Sequence, residues 1–175
     1  MTFSADEVLA YRRDKDAAFR NEADSPIPTQ ERHGFHGLKY YGPDPAYYVP
    51  TRLVPPGDPK EIVMPTSDGD ERTYEIAGTF EFGVAGNKGM LTVYRQDATD
   101  DSLFIPFKDA TAPKETYGAG RYLDLPWRPP NSILFLDFNL AYNPYCAYND
   151  DFSCPFPPRE NWLAFAIRAG EKNYR

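Results

Sequence analysis

Eighteen prolines are spread over a chain of 175 residues, and no other feature constrains the fold as strongly. Each one fixes φ and removes a backbone donor, so long helices and uninterrupted central strands are excluded over most of the sequence. The expected result is many short elements joined by rigid turns. With 13 Tyr, 12 Phe and 41% hydrophobic residues, the chain can nevertheless build a core. A domain of this length buries roughly 70% of its unfolded surface without disulfide or metal staples.

The Pro-free start reads as a helix. Ser4-Ala5-Asp6-Glu7 has the form of a capping box, followed by a loose apolar stripe of Val8, Tyr11, Ala18 and Phe19. The helix is expected to end near Phe19 or Arg20, ahead of Pro26 and Pro28. Its charged face, Arg12 to Asp16, reads as solvated. From Phe35 to Pro59 the pattern is irregular or in short extended pieces. Thr73 to Phe82 alternates, with Tyr74, Ile76, Phe80 and Phe82 on one face, which is the period of a half-buried antiparallel strand. Gly86-Asn87-Lys88-Gly89 supplies the turn to a return strand over Met90 to Tyr94. Further strands are expected at Leu103 to Phe107, Gly118 to Leu123 and Ser132 to Phe138. The last run is nearly all apolar and is read as central and covered on both faces. Trp162 to Ile167 fits either a strand or a short helix.

These elements give a mainly β fold, an antiparallel barrel or sandwich, with the N-terminal helix packed outside and a Pro-rich C-terminal loop over it. The chain reads as a single domain over 1–175, with a helix and linker in 1–25 and a β-rich unit over 35–175. A net charge of −7 disfavours nucleic acid and anionic membranes as partners. No stretch reaches a membrane-spanning length of about 18 apolar residues and no secretory run opens the chain. A cytoplasmic protein with reduced Cys146 and Cys154 follows.

Four constellations bear chemistry. Cys146 and Cys154 with His33 and His36 offer zinc-type ligands, but the spacing departs from zinc motifs, and no metal is expected. Cys146 alone, after Asn143-Pro144-Tyr145, could act as a thiolate nucleophile if a base or positive field lies near. In Tyr117-Gly118-Ala119-Gly120-Arg121, the glycines allow close approach. Arg121 offers a fork for an anion, or for an internal carboxylate such as Asp137. Lastly, Asp137, Asn139, Asn143, Glu160 and Asn161 cluster around the Pro-rich stretch. There they suit acid–base work, ligand contacts, or capping of open backbone.

Three segments carry a family resemblance: Phe35-His36-Gly37-Leu38-Lys39-Tyr40-Tyr41, Lys114 to Leu123, and Leu136 to Glu171 with its Asp-Phe-Asn, Asn-Pro-Tyr-Cys-Ala-Tyr, Cys-Pro and Glu-Asn series. The chain resembles the domain of unknown function 1684 family from about Phe35 onward, in a compact form without the further N-terminal β-rich region of longer members. The resemblance implies prokaryotic, cytoplasmic relatives. It also implies that Tyr117, Arg121, Asp137, Asn139, Asn143, Cys146, Cys154, Glu160 and Asn161 belong to the family motif, in one spatial group. It implies no activity. The expectation is therefore a small-ligand or peptide binding β-barrel module with an Arg121, Asp137 and Asn143 pocket, to which Tyr117, Asn139 and Asn161 contribute. The alternatives are a hydrolase or lyase using Cys146 or the Asp137/Glu160 carboxylates, and an interaction domain without a ligand. Any cofactor is left open.

Overall fold

The computed structural model describes residues 2–175. Helix α1 (Ala5–Asn21) begins where the capping box places it, with the Ser4 hydroxyl accepting from the Glu7 amide at 3.2 Å. Seven antiparallel strands follow: β1 (Tyr48–Val54), β2 (Glu61–Pro65), β3 (Glu71–Val84), β4 (Asn87–Arg95), β5 (Ser102–Phe107), β6 (Arg121–Pro126) and β7 (Ile133–Asp137). Their order is β6-β5-β4-β3-β1-β7, with β2 paired to β3 beside that path. The sheet curls until its two end strands approach, so the fold is a nearly closed barrel. Its core is Val49, Leu53, Phe80, Leu91, Leu103, Ile105, Phe107, Leu136 and their neighbours.

β3 and β4 form the hairpin that the alternating pattern foretold, but its turn falls at Ala85–Gly86, both at positive φ, and β4 already begins at Asn87. Two positive-φ residues match the right-handed strand twist. The expected single face of β3 breaks in the middle. The register with β4 shifts between Ile76 and Gly78, and a bulge inserts one unpaired residue. Phe80 and Phe82 therefore point into the core while Tyr74 stacks on Phe104 outside it. Gly78 is required because β1 passes so close that a Cβ would meet the Val54 carbonyl oxygen at 2.3 Å.

Three other expectations are corrected. β7 is an end strand rather than a central one, and its apolar run alternates, with Leu134 and Leu136 buried, Ile133 59% exposed and Phe135 stacked outside on Tyr48. β6 begins at Arg121, because Gly118 to Gly120 form the turn before it. Trp162 to Ile167 is neither strand nor helix. It runs as irregular chain tied to Lys108 and Ala110 by backbone bonds.

Helix α1 packs across the outside of the sheet by Val8, Phe19 and, against expectation, its charged face. Arg12 is 6% exposed and donates to the carbonyls of Tyr41 (2.7 Å) and Asn139 (3.0 Å). Lys15 pairs with the buried Glu171 carboxylate at 2.6 Å. Asp16 accepts from the Leu38 amide. No described helix is long and apolar enough to cross a membrane.

Candidate functional site

The polar residues singled out in the sequence do not converge on one pocket. Arg121 is fully buried, and its partner is Asp109 (3.1 Å), not Asp137. Its Nη1 and Nη2 also hold the carbonyls of Ile167, Ala169 and Glu171, while Nε has no partner. Asp109 in turn accepts from the Ile167 amide and from Thr111. This ion pair therefore clamps the C-terminal segment onto the start of β6.

Asn161 repairs a defect in the sheet. β4 and β5 pair at Tyr94 and Phe104, which would set Thr92 opposite Pro106, and proline has no N–H to give. The Asn161 amide takes that place. Its Oδ1 accepts from the Thr92 N–H at 2.7 Å, and its Nδ2 donates to the Thr92 and Pro106 carbonyls, both at 2.8 Å. Asn139 is used in the same way, joining the Asp44 backbone to Asp137. Asn143 donates to the Lys172 carbonyl and its own amide is held by Glu171. All three asparagines are 1% exposed or less.

Asp137 is half-buried, and burial raises its carboxyl pKa against the opposing effects of Asn139 and Arg12. Exposed Glu160 accepts from the buried Tyr94 hydroxyl at 3.0 Å, which, after burial, helps raise that phenol's pKa. The two carboxylates share no hydrogen-bond partner, Asp137 meeting Asn139 and Glu160 meeting Tyr94. His33 and His36 are exposed, and among the described residues no group of three His, Cys, Asp or Glu could hold a metal.

The two thiols do come together. The Cys146 amide donates to the Cys154 sulfur at 3.4 Å, and the Tyr117 hydroxyl lies 3.7 Å from the Cys146 sulfur. Ser67 holds the Cys154 amide. Hydrogen bonding from Cys154, with a smaller contribution from Tyr117, lowers the Cys146 thiol pKa to about 6 despite burial, while Cys154 is pushed far up as the partner that keeps its proton.

Cys154 borders the principal concavity, an open groove of about 640 Å³ between α1, the outer face of the sheet and the Pro-rich segment. Eight aromatic rings line it, among them Tyr74, Phe104, Tyr122 and Tyr142, with Arg72 and Lys15 on the walls. Tyr74 stacks on Phe104 at 5.4 Å, and Tyr122 meets Phe104 and Tyr142 edge to face. Asp124 reaches the groove from β6 and accepts a hydrogen bond from the Tyr142 hydroxyl. It is open to solvent through the groove yet surrounded by protein, and that enclosure raises its pKa, with the Tyr142 bond opposing. No local pattern marks Asp124, Tyr74 or Tyr122 as site residues, because only the docking of α1 and the C-terminal segment creates the concavity.

A second opening, also about 640 Å³, lies where the barrel fails to close between β6 and β7. Leu123, Leu125, Leu134 and Leu140 form its apolar lining, and Asp124 and Asp137 lie at its edge. Asp124 thus borders both cavities.

Fold and site together define a small antiparallel β-barrel domain with an external N-terminal helix and an aromatic groove beside it. The chain belongs to the family described as protein of unknown function (DUF1684), whose model matches residues 33–172. It is similar to an uncharacterised protein of Haloarcula marismortui with a solution NMR structure, at 40% identity and a TM-score of 0.75, over 95% of this chain and 92% of that one. A search of curated proteins returns no match.

Proposed function

We propose that the protein is a small-ligand or peptide binding module, and that its site is the aromatic groove rather than the buried Arg121 network. One observation carries this reading: eight rings and an accessible carboxylate from separate parts of the chain face one open concavity. Exposed aromatic surface in a cleft with few polar groups is the usual make-up of a ligand site. Asp124 would take an ammonium or another donor, the Tyr and Phe walls a flat apolar group, and Arg72 an acidic group at the rim.

A panel of aromatic amines and acids, with tyramine and 3-(4-hydroxyphenyl)propionate as the first pair, tests this by NMR titration. Binding of such fragments is expected with a dissociation constant on the order of 1 mM. Shifts should centre on Tyr74, Phe104, Tyr122 and Asp124, and tyramine should lose most of its affinity in Asp124→Asn. A panel that leaves those resonances unmoved, or that binds wild type and Asp124→Asn alike at another surface, refutes the assignment.

A further inference from the structure

We propose that Cys146 and Cys154 form a peroxide-reactive dithiol site, in which one thiol is oxidised and the other resolves it to an intrachain disulfide. The proposal does not depend on what the groove binds. Eight residues apart in the chain, the thiols meet because the turn at Tyr145–Ala147 folds the chain back, placing the Cys146 amide 3.4 Å from the Cys154 sulfur. Both thiols are free and buried. The Tyr117 hydroxyl, 3.7 Å from the Cys146 sulfur, supplies a donor that a thiol paired only for packing would not need. Cys154 borders the groove and Cys146 lies behind it, 8% exposed, so peroxide entering from the groove has to pass Cys154 to reach the Cys146 sulfur.

The charged and titratable groups around the pair are few. Tyr117 is half-buried and Tyr122 buried, and both phenols have raised pKa values, first by burial and then by the thiols. Arg72 stabilises charge on Cys154, and Asp150 acts on Tyr117 from the loop. No lysine or histidine contributes, so thiolate character here comes from hydrogen bonding: within the pair first, then from Tyr117, with Ser67 and the Cys146 backbone adding to it.

The Cys146 thiolate attacks one oxygen of hydrogen peroxide, the O–O bond breaks, and hydroxide leaves and takes up the proton that Cys146 released on ionising, giving one water and the sulfenic acid. The Cys154 sulfur then attacks the sulfenic sulfur. The S–O bond breaks, and hydroxide departs with the Cys154 proton as a second water. Peroxide is thereby reduced to two waters while two thiols lose two electrons to one S–S bond. A dithiol reductant reverses the change. The product links the two ends of the loop that carries Phe152, one wall of the groove.

The experiment treats the folded full chain with hydrogen peroxide and follows free thiols and intact mass across pH. A loss of two hydrogens, mapped to one Cys146–Cys154 link and restored by dithiothreitol, is expected. Its rate should already be at plateau by pH 7. A thiol titrating near 6 is about 90% ionised there, against about 3% for an ordinary cysteine. Tyr117→Phe should move that midpoint to higher pH while leaving the fold intact, and Cys154→Ser should give a sulfenic acid trapped by dimedone at Cys146. Thiols that stay reduced until denaturant is added overturn the proposal, even if the Cys154→Ser variant does not fold. So does a rate that keeps rising through pH 8 and 9 in wild type and Tyr117→Phe alike.

Discussion

Replacing Asn161 by alanine removes one side chain and leaves three buried backbone groups without partners. The Thr92 N–H loses its acceptor at 2.7 Å, and the Thr92 and Pro106 carbonyls lose donors at 2.8 Å. Each such hydrogen bond contributes about 1 kcal/mol net, and leaving a buried group unsatisfied costs about 1–3 kcal/mol. A water entering the vacated space recovers part of this, so the variant should lose about 3 kcal/mol. For a chain of this size that corresponds to a fall in melting temperature of about 6–12 °C. Urea denaturation measures the total, and native-state hydrogen exchange locates it, since the Thr92 amide should lose protection while Leu91 and Val93 keep most of theirs. Asn161→Asp, nearly the same size, separates the hydrogen bonds from the cavity. Its second oxygen would face two carbonyls, so it should be at least as destabilised as alanine. An Asn161→Ala protein within about 1 kcal/mol of wild type, with Thr92 still protected, would refute the claim that this amide completes the sheet.

Three further outcomes are expected. Asp109→Ala leaves Arg121 buried without its counter-charge and frees the Ile167 amide, so it should cost about 3–5 kcal/mol and release the C-terminal segment to limited proteolysis before global unfolding. Lys15→Met removes one of three partners of buried Glu171, which keeps the Asn143 amide and the Tyr148 hydroxyl, so its cost should be about 2 kcal/mol, read by urea denaturation. Asp124→Asn tests the pH dependence. Because its pKa is raised in the folded state, Asp124 contributes stability below the ordinary carboxyl range and loses it as pH climbs through the folded value. The Asn variant should therefore be more stable than wild type at pH 7 and indistinguishable from it near pH 3, by thermal denaturation at both.

Local signals in the sequence were sufficient for α1, the β3–β4 hairpin and the presence of β5 and β7. They failed for β1 and β2. Val49, Thr51 and Leu53 alternate with exposed neighbours, but Pro50 reads as a breaker. It is tolerated because pairing of β1 with β3 starts only at Leu53, leaving Pro50 with no ladder bond to supply on that side. The face of β3 is hidden for a different reason, since a one-residue bulge reverses every side chain beyond it and leaves no mark except Gly78. In the motif, residue types pointed correctly to hydrogen bonding, but type alone does not say whether the partner is a ligand or a backbone. Arg121 and Asn161 meet carbonyls from strands and segments 46 to 69 residues away, and only the completed fold shows it.

That difference decides where function is to be sought. A buried arginine or asparagine whose hydrogen bonds all end on the chain itself cannot exchange them for a ligand without exposing the same backbone groups, at about 1–3 kcal/mol for each group left bare. The motif asparagines, Arg121 and Asp109 are in that position, and substitutions there should register as lost stability. Asp124, Tyr74 and Phe104 make few internal polar bonds and line open space, so substitutions there should spare the fold and change what the groove holds. A ligand screen on wild type beside Asp124→Asn and Asp109→Ala separates the two classes directly. Asp124→Asn should stay folded and lose the ligand, whereas Asp109→Ala should keep its affinity at temperatures where it remains folded. The opposite pattern would return the site to the Arg121 cluster.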